Sequence, residues 1–303
     1  MSSHPGVEVL RAMLAESGLT GGSILERRAA MDAASEASPA PDGTHVEQSD
    51  LGGVATEWLV PDSLAGDAAS APVVVHLHGG GYCMGGHDTH RGFAGRLALA
   101  AQARVAVPDY RLAPEHPFPA ALEDAVAAVT AVLEGGPGPG RVAVSGDSAG
   151  GGLALATMLE LRGRGSLMPA AAVLVSPWAD LTQSAESHTR LDGLDPLLVR
   201  ADLDQMAEAY LAGHDARDPR VSPVRAKDLA GLPPLCIEVG DQEVLLDDST
   251  TVAALARRSG IDVSLTVWPE LTHDFQIFPP ELIPESDRSI EAMGRFIWRH
   301  IGT

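Results

Sequence analysis

Residues 142–156 read Val-Ala-Val-Ser-Gly-Asp-Ser-Ala-Gly-Gly-Gly-Leu-Ala-Leu-Ala. The first four are typical of a short buried strand, and the Ala- and Leu-rich residues after Gly152 are typical of a helix. Between them lies a Gly-x-Ser-x-Gly pattern, which predicts a sharp strand–turn–helix connection with Ser148 at its centre. Gly146 and Gly150 would leave room for this turn, and the Ser148 hydroxyl would lie above the sheet edge near a helix N-terminus. So short a pattern also occurs by chance, so its meaning depends on the rest of the chain.

The amino-acid composition limits which classes of protein this chain can belong to. The 303 residues are 45% hydrophobic, which supports a sizeable core. The 41 acidic and 21 basic residues give a formal net charge of −20, which disfavours binding to nucleic acids or anionic membranes because both would repel the protein. The charge suits a protein that acts on neutral or cationic small molecules, but we favour the simpler explanation that the acidic surface maintains solubility.

Cysteine content and the N-terminus bear on location. Cys83 and Cys236 lie far apart in sequence and form no disulfide framework, which favours a reducing compartment. Residues 1–6 resemble no signal peptide, and no stretch approaches the length of a membrane span. We therefore expect a cytoplasmic protein that does not enter membranes.

From residue 45 onward the pattern alternates between strands and helices. A hairpin is predicted over 45–60, and strands are predicted over 72–77, 104–108, 141–145, 170–176, 234–239 and 262–267. Helical patterns lie between most of them, including Arg91 to Ala103 and Gly150 to Arg162, and a last one covers 286–300. This order predicts one α/β domain over 1–303, with a mostly parallel sheet covered by helices on both faces.

Two segments lie outside this alternation. Residues 1–45 contain helical patterns and a Pro-rich loop, which indicate an appendage that is either a packing arm, a dimer contact or a lid over a pocket. Periodicity weakens again between residues 178 and 220, apart from a helix over 201–211, which indicates an insertion between strands.

Further polar stretches follow predicted strands. His78-Gly79-Gly80-Gly81 follows one strand, and consecutive glycines can direct backbone N–H groups at a developing oxyanion. Several acidic residues between 241 and 248 follow another strand, and His273 follows a third. Since parallel strands end at the same sheet edge, these groups and Ser148 are expected to meet there, in the chain order serine, acid, histidine.

These motifs resemble those of the hormone-sensitive-lipase family of carboxylesterases. The His-Gly-Gly-Gly loop at His78–Gly81 and the Gly-Asp-Ser-Ala-Gly turn at Gly146–Gly150 match that family without change. The runs Asp-Tyr-Arg-Leu-Ala-Pro-Glu at 109–115 and Pro-Phe-Pro-Ala at 117–120 are further marks of it. The resemblance covers roughly residues 73–275 and implies an α/β-hydrolase fold with a helical cap formed by about 1–45 and about 180–215.

The acidic position departs from the family pattern. The family's usual Asp-Pro-Leu-x-Asp-Glu motif falls, without a gap, on Glu243-Val-Leu-Leu-Asp-Asp. Glu243 then occupies the position of the catalytic acid, one methylene longer than aspartate. Asp241, two residues earlier, is the competing candidate, and we favour Glu243.

The resemblance also implies roles for individual residues. Ser148 would be the nucleophile and His273 the base, while the N–H groups of Gly80, Gly81 and Ala149 would form the oxyanion hole. His78 and the region Asp109–Glu115 would brace this loop without touching substrate, and Asp147, next to the nucleophile, would have a structural role. The implied substrates are short- to medium-chain acyl esters, with no metal or organic cofactor required. Apolar candidates for the acyl pocket are Tyr82, Met84, Phe93, Trp178, Leu198 and Met206.

Other functions remain open at this stage. An inactive binding protein on the same fold would usually lack the serine or the histidine, and both are present. An amidase or a lactonase could use the same residues. Members of the resembled family often form homodimers, but no residue of this sequence decides the oligomeric state.

Overall fold

A computed structural model of the chain describes residues 4–35, 38–64, 66 and 70–302. These residues contain an eight-stranded sheet in the order β1-β2-β4-β3-β5-β6-β7-β8. The strands β1 and β2 form an antiparallel hairpin, β2 pairs antiparallel with β4, and the remaining neighbours are parallel. The strands are β1 Thr44–Leu51, β2 Val54–Pro61, β3 Val73–Leu77, β4 Arg104–Pro108, β5 Val142–Asp147, β6 Ala171–Val175, β7 Leu235–Gly240 and β8 Val263–Trp268.

Helices cover both faces of this sheet. The helices of the described residues are α1 Pro5–Leu14, α2 Ile24–Ser35, α3 His87–Ala101, α4 Ala120–Gly135, α5 Ser148–Arg164, α6 Ser187–Arg190, α7 Arg200–Leu211, α8 Leu246–Arg258 and α9 Glu285–Ile301. The core on one face includes residues of α4, α5 and α8, and the core on the other includes residues of α3 and α9. The α/β-hydrolase fold and the mostly parallel sheet expected from the sequence are confirmed.

The near-continuous apolar strands are explained by burial on both faces. In β5, Val142 and Val144 join the core beneath α4, α5 and α8, whereas Ala143 joins the core beneath α3 and α9. Successive side chains of a strand point to opposite faces, so a strand between two helical layers needs apolar residues at every position.

Two helices begin earlier than their sequence patterns indicate. The helix α3 begins at His87, before the predicted Arg91, and α5 begins at Ser148, before the predicted Gly150. In α5 the strand passes into the helix with no intervening loop, so the serine itself is the first helical residue.

The two segments outside the strand–helix alternation lie close to the loops at the carboxyl ends of the strands. Val7, Leu10 and Leu14 of α1 form a small buried cluster with Leu271 and Phe275, which flank His273 in the loop after β8. The helix α7 lies in the insertion between β6 and β7. Its residue Met206 lies against the glycine loop, because a Cβ placed on Gly81 would come within 2.0 Å of the Met206 sulfur.

The remaining sequence expectations concern cysteines and membranes. Cys83 and Cys236 are buried and unpaired. Within the described part of the chain, no helix combines the length and the apolar character needed to cross a membrane.

Candidate active site

The turn at Ser148 has the strained geometry that the sequence pattern predicts. Ser148 has a φ of +51°, in the left-handed region that non-glycine residues rarely adopt. A Cβ on Gly146 would lie 2.2 Å from the Gly150 carbonyl oxygen, and one on Gly150 would lie 1.9 Å from the Leu77 carbonyl oxygen. Glycine is therefore required at both positions, because the backbones of β3, β5 and α5 approach too closely for any side chain.

Ser148, His273 and Glu243 form a continuous hydrogen-bonded chain. The Ser148 Oγ lies 2.9 Å from His273 Nε2, and His273 Nδ1 lies 2.7 Å from Glu243 Oε2. All three side chains are buried. A proton on Nδ1 that is donated to the carboxylate leaves Nε2 free to accept the hydroxyl proton, which is the arrangement that activates a serine nucleophile.

The two candidate acids lie in different surroundings. The second oxygen of Glu243, Oε1, accepts hydrogen bonds from Ser176 Oγ and the Gly240 N–H, both at 2.7 Å. By contrast, Asp241 Oδ1 accepts from the Glu270 N–H at 2.7 Å and from the Gln242 side chain at 2.8 Å. The structure thus brings Glu243 to the imidazole and directs Asp241 toward the loop after β8.

Asp195 holds the histidine loop and was missed by the sequence analysis. Its Oδ2 accepts the His273 backbone N–H at 2.6 Å, and its Oδ1 accepts the Leu197 N–H at 2.8 Å. Burial raises the pKa of this carboxyl to about 6. The only signal in the sequence is an aspartate before a proline, which indicates a turn with side-chain-to-backbone hydrogen bonds but not its partner.

Asp274 is a second carboxylate at the imidazole. Its Oδ2 lies 3.0 Å from His273 Nε2, the nitrogen that also contacts Ser148. Burial raises the pKa of Asp274 to about 7, although the neighbouring His273 opposes the rise.

These carboxylates determine the basicity of His273. Burial alone lowers the pKa of His273, but the charges and hydrogen bonds of Asp274 and Glu243 outweigh it and raise the pKa well above its usual value. A protonated His273 would therefore be stabilised from both ring nitrogens.

The glycine loop is anchored by Asp147. The Gly79 N–H donates to Asp147 Oδ1 at 3.0 Å, and the same carboxylate lies 3.0 Å from His76 Nε2 and 3.2 Å from His90 Nε2. Burial raises the pKa of Asp147, but these two histidines hold it well below its usual value. A structural role for Asp147, as expected from the sequence, would involve His76 and His90, two histidines that the sequence analysis did not single out.

His78 also supports this loop. Its ring stacks on Tyr110 with 4.1 Å between ring centroids, and its Nδ1 lies 2.8 Å from the Gly79 carbonyl oxygen. Burial lowers the pKa of His78 to about 4, so the ring is neutral near pH 7. The Tyr110 hydroxyl donates to the His78 carbonyl oxygen at 2.7 Å.

The candidate oxyanion donors surround Ser148. Gly80 and Gly81 have φ values of +112° and +62° and line the same cavity as the serine hydroxyl. Ala149 is in the first turn of α5, where backbone N–H groups have no acceptor within the helix.

A cavity of about 610 Å³ opens above these residues, a volume typical of small-molecule sites. Its wall is mostly apolar and includes residues of α1, α2 and α7. Of the predicted pocket residues, Met84, Leu198 and Met206 lie along this wall, but Tyr82, Phe93 and Trp178 do not.

The three aromatic residues that do not line the cavity belong to the core. Tyr82 stacks on Tyr210 with ring centroids 3.9 Å apart, and Trp178 packs against Tyr82 at 5.9 Å. Phe93 lies in the core beneath α3. Large aromatic side chains bury more apolar area than other residues, and in this protein these three pack in the core and not in the pocket wall.

A buried ion pair joins the N-terminal helices to the insertion at the cavity wall. Arg27 of α2 lies 3.3 Å from Asp202 of α7 and donates a further hydrogen bond to Gln205. The Arg27 side chain is almost fully buried.

Asp247 and Asp248 lie in the first turn of α8, and their carboxylates also bind the segment that follows β6. Asp248 accepts the backbone N–H groups of Ala179 and Asp180 and contacts His188 at 2.8 Å. Asp247 accepts the Ser187 N–H at 2.8 Å. Both carboxylates therefore fix the segment that follows β6.

Comparison with known proteins agrees with the α/β-hydrolase fold. A family model described as "alpha/beta hydrolase fold" matches residues 74–277. An acetyl-hydrolase of Streptomyces hygroscopicus is 43% identical over 299 residues, which cover 97% of each chain.

Two solved structures are similar over nearly their whole length. An esterase from the bacterial hormone-sensitive lipase family superimposes with a TM-score of 0.92 at 37% identity and 100% coverage of both chains. EstE5, soaked with p-nitrophenyl butyrate, superimposes with a TM-score of 0.90 at 38% identity over 99% of this chain and 100% of its own. The chain therefore belongs to the hormone-sensitive lipase family of α/β hydrolases.

Proposed function

We propose that this protein is a serine carboxylesterase that hydrolyses short- to medium-chain acyl esters through an acyl-enzyme intermediate. The observation that carries the proposal is the hydrogen-bonded chain Ser148–His273–Glu243 at the floor of an apolar cavity. Relatives named acetyl-hydrolase and esterase, and the EstE5 structure soaked with p-nitrophenyl butyrate, support the same class of substrate.

The proposed reaction has two half-reactions. His273 Nε2 accepts the Ser148 proton as Oγ attacks the ester carbonyl, and Glu243 stabilises the imidazolium. The N–H groups of Gly80, Gly81 and Ala149 receive the oxyanion. The imidazolium then protonates the leaving alcohol oxygen as the C–O bond breaks. Water repeats these steps on the acyl-enzyme and releases the carboxylic acid.

We propose further that about 1–45 and about 180–215 form a cap over the acyl pocket. The apolar wall contributed by α1, α2 and α7 and the buried Arg27–Asp202 pair between the two segments support this role. Replacing Met206 by Phe would narrow the space beside Gly81, so we expect the longest acyl chain accepted to become shorter. A series of p-nitrophenyl esters of increasing chain length measures this limit.

The test of the esterase activity is hydrolysis of p-nitrophenyl butyrate by the wild type and by Ser148→Ala. We expect hydrolysis by the wild type and its loss in the variant, while Ser166→Ala, which alters an exposed serine, retains it. Absence of Ser148-dependent hydrolysis would favour an inactive binding protein. Anilides and lactones in the same assay reveal an amidase or a lactonase.

Location and assembly stay predictions. A cytoplasmic location is tested by cell fractionation in the source organism. Homodimer formation is tested by light scattering of the purified protein.

A further inference from the structure

The insertion between β6 and β7 reaches back to the catalytic base through Asp195. This side chain is 2% exposed, and its Oδ2 accepts the backbone N–H of His273 at 2.6 Å. Hydrogen bonds to a charged oxygen are among the strong ones in proteins, and a buried N–H without a partner is costly. The insertion therefore holds the backbone of the residue whose ring acts as the base.

The other oxygen of Asp195 holds part of the cavity wall. Oδ1 accepts the N–H groups of Leu197 at 2.8 Å and Leu198 at 3.2 Å, and both leucines line the cavity. The residue before Asp195 is also fixed, since Arg11 of α1 donates to the Leu194 carbonyl oxygen at 2.6 Å. One buried carboxylate thus joins the cavity wall to the histidine loop.

The bond to His273 goes beyond what a local turn needs. An aspartate that caps a turn accepts N–H groups from the next few residues, as Asp195 does from Leu197 and Leu198. The His273 N–H is 78 residues away in sequence and belongs to the loop after β8. These three donors occupy both oxygens, which an ionised carboxylate permits and an amide, with its single oxygen, does not.

Proton transfer depends on where this backbone places the imidazole. His273 Nδ1 lies 2.7 Å from Glu243 and Nε2 lies 2.9 Å from Ser148, so the ring bridges two side chains that other segments hold. A misplacement of about 1 Å in a catalytic group can lower the rate by about 100-fold. A hydrogen bond at the N–H of His273 itself is therefore well placed to control the approach of Nε2 to the serine.

We propose that Asp195 is a positioning residue that fixes the His273 backbone from the insertion, so that the base and the cavity wall at Leu197 and Leu198 keep one relative position. The insertion then supports proton transfer in addition to covering the acyl pocket. This proposal rests on the esterase function and assigns a residue that acts on its base through the backbone.

The first test is Asp195→Asn, assayed with p-nitrophenyl butyrate at pH 8. This pH lies above the pKa of about 6 to which burial raises the Asp195 carboxyl, so the wild-type side chain is charged. The single amide oxygen should stay with the two leucine N–H groups, which directs the NH₂ group at the His273 N–H. We expect kcat to fall by about 100-fold, while KM stays within about threefold because the cavity wall keeps its bonds.

Two further variants separate positioning from a general loss of structure, with thermal unfolding to show that each is folded. Asp195→Ala removes the links to the wall and to the base, so we expect KM to rise in addition to the fall in kcat. The matched control is Asp192→Asn. Asp192 is an exposed acid of the same insertion, and its Oδ1 accepts the Arg200 N–H at 2.9 Å, a bond that the asparagine oxygen can keep. This variant should keep the wild-type kcat and KM.

A double substitution tests whether Asp195 acts through the histidine. In His273→Ala, the remaining acylation of Ser148 has no base to position, so adding Asp195→Asn should leave its single-turnover rate unchanged. Residues that act as a unit give such non-additive effects. A further fall of about 100-fold in this background would refute the proposal, because Asp195 would then support the site without the histidine.

The outcomes separate this proposal from the esterase function. If the wild type shows no Ser148-dependent hydrolysis, the esterase function fails, and the positioning role fails with it. If the wild type is active and a folded Asp195 variant keeps kcat within about threefold of the wild-type value, the positioning role alone is refuted. A rise in KM without a fall in kcat also refutes it, because Asp195 then shapes only the cavity wall.

Discussion

The choice between Glu243 and Asp241 leads to a prediction from two matched substitutions, Glu243→Gln and Asp241→Asn. Each replaces a carboxylate by an amide of the same shape. At Glu243 the fixed Gly240 N–H, 2.7 Å from Oε1, requires an oxygen on that side of the side chain. The glutamine must then direct its NH₂ group at His273 Nδ1, 2.7 Å from the position of Oε2.

This orientation imposes the wrong tautomer on His273. An NH₂ group at Nδ1 requires that nitrogen to accept, so the ring proton moves to Nε2, which can no longer take the proton of Ser148. A tautomer error of this kind lowers kcat by about 10⁴, which corresponds to about 5 kcal/mol of transition-state stabilisation.

Asp241→Asn should have little effect. The asparagine keeps an oxygen that can accept from the Glu270 N–H, which Asp241 Oδ1 now accepts at 2.7 Å. We expect kcat to stay within about threefold of the wild type, because surface polar changes are small.

The assay is hydrolysis of p-nitrophenyl butyrate at saturating substrate, with thermal unfolding to show that both variants are folded. A loss of about 10⁴ in Asp241→Asn, or more than about a tenth of wild-type kcat in folded Glu243→Gln, would refute the assignment of the acid.

The pKa of His273 is raised, and Nε2 must be neutral to act as a base, so kcat/KM should rise with pH along a limb whose midpoint lies above 6.5. Removal of the Asp274 charge by Asp274→Asn should move that limb to lower pH, and an unchanged limb contradicts this account. Asp147→Asn removes a carboxylate between two buried histidines and should cost about 3–5 kcal/mol of unfolding free energy in urea titrations. Gly80→Ala would place a Cβ 2.1 Å from the Met84 carbonyl oxygen, and the resulting displacement of the Gly80 N–H should lower kcat by about 10²–10³. The control Gly135→Ala, whose Cβ would meet no atom within 4 Å, should leave kcat unchanged.

Much of the candidate site could be predicted from sequence because its parts follow strands. Parallel strands end at one sheet edge, so the stretches around His78, Ser148, Glu243 and His273 meet without any knowledge of the loops between them. The steric requirement at Gly146 is local, because a Cβ there would meet Gly150, whereas the one at Gly150 comes from the close approach of Leu77.

The residues that were missed depend on long-range placement. Asp195 lies in a segment with weak periodicity, 78 residues before the backbone N–H that it binds. Asp274 follows the predicted histidine directly in the sequence. Its carboxylate reaches His273 Nε2 because the Asp274 backbone is left-handed, and one aspartate in a sequence does not indicate that conformation. Tyr82 and Trp178 are apolar residues near the glycine loop and the insertion, and composition cannot separate a pocket wall from a core.

The proposed mechanism requires a covalent bond between the substrate acyl group and Ser148. Labelling the protein with a p-nitrophenyl alkylphosphonate traps the nucleophile as a stable adduct, and intact-mass spectrometry followed by peptide mapping locates it. We predict one adduct per chain, on the peptide that contains Ser148, with no labelling of Ser148→Ala and an equal loss of p-nitrophenyl butyrate hydrolysis. An adduct on another residue, or unchanged labelling of Ser148→Ala, would contradict the assignment of Ser148 as the nucleophile.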